Sequence, residues 1–279
     1  MTSHSSGLAF KAREIEELVD VYFFRRLGIV FALLARALRL TPTMVTVGAM
    51  MAGAAGGALL ASPRYALLGV ALLILHGVLD SSDGQLARLT GQSTEFGRMM
   101  DGVAGYVTHI AMYLGILASG FARGYGWELF AAAGAAGACT IVHAQMYDYH
   151  RTTYAACVLE GEALPAIAGH PHAGIVGLYE AMQRAIAGRH PAVEQAIAGR
   201  AVGGRVRDDD RQRYRACFYR PVRGWNLMGD NVRRLAIAVA AWSGRPEWFI
   251  VSELVPVNAA FVVLWWVQRR ADARFLEGT

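Results

Sequence analysis

Long apolar runs separated by short polar turns fill most of the chain after residue 43. Six of them read as membrane-spanning helices, at about 44–61, 65–86, 95–121, 127–154, 231–243 and 248–267. The turns carry their own signals. Thr41 can cap the first span, with Pro42 in its first turn. Gly91 can end the second, and Ser93 or Thr94 can cap the third. The first 40 residues differ. Val19, Tyr22, Phe23, Leu27, Val30, Phe31 and Leu34 supply an apolar side over residues 8–40, while Arg25, Arg26, Arg36 and Arg39 can reach lipid phosphates. That pattern predicts an amphipathic helix along the membrane surface, because the apolar part, 27–38, is too short to cross. Residues 155–224 form the one long polar segment, rich in Arg, Gly and Ala. Within it AIAGR recurs at 185 and 196, two copies read as helix ends closed by Gly.

The expected fold is all-α: a polytopic integral membrane protein with six transmembrane helices after an amphipathic interfacial helix. Residues 1–40 are the interfacial segment and 41–154 the first four spans. Residues 155–230 are a cytoplasmic insertion, and 231–279 hold the last two spans and a tail.

Composition agrees. Of 279 residues 54% are hydrophobic, and the mean hydropathy is +0.30, too apolar for an ordinary soluble domain. The net charge of +5 is better explained by basic loops beside anionic lipid than by nucleic acid. Six spans put both termini on one side. That side collects Arg25, Arg26, Arg36, Arg39, Arg88, Arg98, Arg151, the 200–223 cluster, Arg269 and Arg270, against Arg64, Arg123 and Arg245 on the other. The positive-inside rule makes the rich side cytoplasmic, and the expected location is the inner (cell) membrane of a bacterium. Cys139, Cys157 and Cys217 lack metal-ligand spacing.

The chemistry concentrates at LDSSDGQLARLTGQSTEFGRMMDGVAG, residues 79–105. Asp80, Asp83 and Asp101 sit in or beside apolar spans, where ionisable groups are costly and mark function. On a helix Asp80, Asp83, Gly84 and Ala87 share one face with Arg88 at its edge, and Gly97 and Asp101 share a face of the next helix. Two facing helices would present three carboxylates to one pocket, with small residues allowing close approach. Oxygen-only ligands suit Mg2+ or Mn2+.

These residues resemble the CDP-alcohol phosphotransferase family, whose pattern is D-x2-D-G-x2-A-R-x8-G-x3-D-x3-D. Asp80, Asp83, Gly84, Ala87, Arg88, Gly97 and Asp101 stand at those spacings. The stretch TPTMVT, 41–46, resembles the family's TPN-x-VT, with Thr43 where Asn is usual. The resemblance implies transfer of a phospho-alcohol group from a CDP-alcohol to an acceptor hydroxyl, releasing CMP, in phospholipid synthesis. It implies Asp80, Asp83 and Asp101 as metal ligands. It also implies Asp80, Asp83, Gly84, Ala87, Arg88 and Gly97 as the nucleotide-binding set. The partners implied are the CDP-alcohol, the acceptor and membrane lipid. One position departs. Gly105 stands where the family has a fourth aspartate, which completes a second metal site and serves as proposed general base. The competing reading is a catalytically impaired member that binds nucleotide as a membrane scaffold. The oligomeric state is open, a homodimer included.

Other polar residues are weaker candidates for sites. His109 could serve as base but lies two turns beyond Asp101, about 12 Å along the axis. His143, Tyr147, His150 and Arg151 recur at helical spacing beside Asp148, as an acceptor or phosphate site or as a polar face entering water. His170 and His172 look like a turn more than a metal pair. The Arg200–Arg223 cluster, interleaved with Tyr214, Phe218 and Tyr219, reads as a lipid-facing amphipathic segment, with no nucleic-acid module beside it.

Overall fold

The computed structural model describes residues 14–163 and 183–278. His170, His172 and the start of the interfacial segment lie outside them. The described residues are helical, and no strand occurs among them. The helices are α1 Arg25–Ala37, α2 Pro42–Leu59, α3 Ala66–Thr90, α4 Glu95–Ala122, α5 Trp127–Tyr154, α6 His190–Arg200, α7 Asp208–Trp225, α8 Asp230–Trp242, α9 Trp248–Ser252 and α10 Asn258–Glu277. Five stretches are long and apolar enough to cross a membrane: α2, α3, α4, Trp127–Glu160 and Trp248–Glu277. The chain is an integral membrane protein. The sixth expected span is α8, whose 13 residues reach only about 20 Å at 1.5 Å each, short of a hydrocarbon core of roughly 30 Å.

Helix ends follow local chemistry. The Thr41 hydroxyl accepts from the Met44 N–H at 3.3 Å, with Pro42 opening α2. Gly91 closes α3 with φ +67°, and the Gln92 N–H reaches Ala87 O at 3.0 Å. Thr94 caps α4 by accepting from the Gly97 N–H at 3.0 Å. The π-helical turn Glu253–Val257 contains Pro256, which has no N–H to donate.

The chain divides into two compact units. One comprises residues 17–137 and 230–254. Here α2 packs against both α3 and α4, and small residues set how closely. A Cβ on Gly56 would stand 2.8 Å from Gly69 O, and one on Gly115 would stand 2.0 Å from Gly57 O. Backbone therefore touches backbone, and dispersion replaces a hydrophobic drive that lipid cannot supply. Leu60, Leu73, Ile116, Leu129, Ile237 and Phe249 build the core. α1 lies against α3: Gly28 faces Ser81, and Gln85 Nε2 donates to Arg25 O at 3.1 Å. Its Leu27, Val30, Leu33 and Leu34 remain exposed.

The other unit comprises, among the described residues, 14–16, 138–163, 183–229 and 255–278. Its core gathers Met146, Tyr149, Trp225, Met228 and Leu264. The lipid-facing reading of the basic segment is corrected here. Tyr214 and Phe218 of α7 are buried among rings, at 1% and 2% exposure, and cover protein instead of lipid. His190 Nε2 accepts from the Tyr214 hydroxyl at 2.9 Å, and its Nδ1 donates to Asp272 at 2.8 Å. Burial pushes the Tyr214 phenol well above its usual pKa, so it stays a donor. The AIAGR reading holds once: Gly188 ends the first copy at φ +65°, but Gly199 lies inside α6.

Candidate functional site

α3 and α4 both rest on α2, and the carboxylates meet in the space beside it. Asp80 and Asp101 come within hydrogen-bonding reach of each other. Asp83, one turn along α3, is buried and has Asp101 and Arg88 as charged neighbours. Its Oδ2 accepts from the Thr46 hydroxyl at 2.6 Å. That hydroxyl also lies 3.1 Å from Pro42 O, but it has one hydrogen, and the shorter contact to the carboxylate takes it. Gly84 leaves bare backbone beneath Arg88: a Cβ there would sit 3.5 Å from the guanidinium. Ala87 is half-buried and Arg88 exposed.

A cavity of about 100 Å³ opens beside Asp80, lined also by His76, Gly105, His109, Asp230, Arg233 and Arg234. Gly105 presents no ligand, and nothing lies within 4 Å of where its Cβ would be. His109 reaches the cavity despite its depth along α4. Its Nδ1 stands 2.9 Å from Gly105 O. A carbonyl only accepts, so Nδ1 carries the proton and Nε2 is the basic nitrogen.

Gly97 spends its N–H on capping by Thr94, so its place in this structure is the start of α4. His143 and His150 do not emerge into water. His143 pairs with Asn258 at 3.0 Å, and His150 is buried in a stack on Trp225. Tyr147 and Arg151 are hydrogen-bonded to each other.

The donor chemistry fits a hard divalent cation: the acidic groups offer oxygen only, and Asp80 and Asp101 already meet. Among the described residues, no three His, Cys, Asp or Glu groups are gathered closely enough to enclose an ion as they stand.

Sequence reasoning missed Thr46, Arg233 and Arg234. Thr46 ends the TPTMVT stretch, and two arginines at the head of an otherwise apolar helix are a costly, functional signal.

The family model described as CDP-alcohol phosphatidyltransferase matches residues 39–166, from the end of α1 past α5. Over these residues the chain is similar to a CDP-alcohol phosphatidyltransferase domain. The family is one of phosphotransferases, which supports phospho-alcohol transfer in phospholipid synthesis and a donor and acceptor of that class. The match holds the whole 79–105 stretch and stops before α8. No curated protein and no solved structure matches the chain.

Proposed function

We propose that the protein transfers a phospho-alcohol group from a CDP-alcohol to an acceptor hydroxyl, with a divalent cation, Mg2+ or Mn2+, held by Asp80, Asp83 and Asp101. The observation that carries this is the meeting of Asp80 with Asp101 in the domain of the family match, with Asp83 one turn away. The bound ion would supply charge neutralisation at the diphosphate. Arg88 holds phosphate oxygens, and Gly84 and Ala87 leave room for the nucleotide against α3. The acceptor oxygen bonds to the phosphorus that bears the alcohol, and the bond from that phosphorus to the bridging oxygen breaks. CMP leaves with the bond's electrons. His109 Nε2 takes the hydroxyl proton, in the place where Gly105 offers no carboxylate. The Arg asymmetry supports a site open to the cytoplasm, where nucleotide is available.

A second reading, a nucleotide-binding scaffold without turnover, draws on Gly105. One experiment decides between them: purified protein with Mg2+ or Mn2+, a panel of CDP-alcohols and acceptors, and CMP as readout. Release of CMP that requires an acceptor supports transfer. Binding of CDP without release, across the panel, supports the scaffold.

A further inference from the structure

We propose that Arg234 is a built-in counter-charge of the carboxylate site, and that with Gly105 across the cavity the site takes one divalent cation and not two. The proposal rests on the divalent-cation reading above.

Arg234 lies on α8, outside the matched residues 39–166. It lines the same cavity as Asp80 and Gly105, and its charge acts on Asp80. Its guanidinium is held in place from several directions. NH1 donates to Asn231 Oδ1 at 2.9 Å, and NH2 stands 4.0 Å from Asp230. The Phe24 ring lies beneath it, 4.7 Å from Cζ to ring centre. Gly77, three residues before Asp80, makes the room: a Cβ there would be 3.1 Å from Arg234 Cζ. A Cβ at residue 77 would also stand 2.9 Å from the Phe24 ring, so ring and guanidinium would both have to give way slightly. The adjacent Arg233 is occupied otherwise, its Nε 3.4 Å from Glu253.

The charges then balance at one ion. Asp80, Asp83, Asp101 and Asp230 are four carboxylates, and Arg88 and Arg234 are two guanidiniums. The net charge of −2 equals one divalent cation. A second ion would sit beside a fixed guanidinium without a further ligand, because Gly105 offers none. Like charges crowded in this way disfavour it.

The test counts Mn2+ on the purified full-length protein in detergent, without nucleotide, by electron paramagnetic resonance and calorimetry. Wild type is expected to bind one Mn2+ per chain. Arg234→Gln should still bind one, roughly tenfold tighter or more, the order expected when a nearby unit charge no longer repels a divalent one. Arg234→Lys should bind as wild type does. Gly105→Asp should still bind one, its new carboxylate meeting Arg234. Gly105→Asp with Arg234→Gln should bind two. Two ions on wild type or on Gly105→Asp overturn the proposal and leave the divalent-cation reading standing. Unchanged affinity in a folded Arg234→Gln protein also overturns it. No Mn2+ on wild type overturns both. Should Arg234→Gln fail to fold, the count on Gly105→Asp decides.

Discussion

The ion pair of Arg233 and Glu253 should hold the head of α8 in place, and its removal from one side should be costly. The Nε to Oε1 distance is 3.4 Å, and the two side chains are 5% and 0% exposed. An exposed pair contributes about 0–1 kcal/mol. A buried pair broken on one side costs about 3–5 kcal/mol, since the remaining charge stays out of water and has lost its counter-charge. The two single changes should differ. A carboxyl can shed its charge by binding a proton, and a guanidinium cannot. Glu253→Gln is therefore expected to cost more than Arg233→Met. Arg233→Met with Glu253→Leu removes both charges and should recover most of the loss, with a coupling energy of at least about 2 kcal/mol. Equilibrium unfolding of the detergent-solubilised proteins, followed by circular dichroism, measures this cycle. CMP release should fall in the single variants and return in part in the double, because Arg234 is the next residue in α8. Single costs below about 1 kcal/mol, as at a solvated pair, would refute the reasoning, as would a double variant less stable than either single.

Four further outcomes are expected. Asp83→Asn should abolish Mn2+-dependent CDP binding in calorimetry; binding equal to wild type would remove Asp83 from the site. His109→Asn should lower CMP release by about 10²–10⁴-fold with Mn2+ binding unchanged, the span of general-base assistance; full activity would exclude His109 as the base. Gly115→Ala should destabilise by about 1–3 kcal/mol, since its Cβ would overlap Gly57 O, while Gly102→Ala should be neutral or better, with nothing within 4 Å. In a cysteine-free background, Tyr125→Cys should react with a membrane-impermeant reagent on intact cells and Gln92→Cys should not; they lie beyond opposite ends of α4, and the reverse pattern would invert the proposed orientation.

The helix ends were legible because they are local. Thr41 with Pro42, Gly91, and Thr94 each act on backbone groups a few residues away, so spacing alone locates them. The carboxylate stretch was legible for the same reason, since helical period places Asp80, Asp83 and Gly84 on one face whatever the neighbours are. Whether an apolar face meets lipid or protein is not local. Tyr214 and Phe218 read as lipid-facing, yet they are buried against Phe275. Both environments are apolar, so the pattern is the same for each.

Partners across helices were decided by packing. Close contact at Gly56–Gly69 and Gly57–Gly115 sets α3 and α4 against α2, and with them the reach of Asp80 to Asp101 and of Thr46 to Asp83. The same holds for Arg234, about 150 residues from Asp80 in sequence. Sequence determined the helices, the membrane class and the acidic motif, which depend on residues near each other along the chain. Tertiary structure alone decided which charge faces which, because that depends on where backbones can touch.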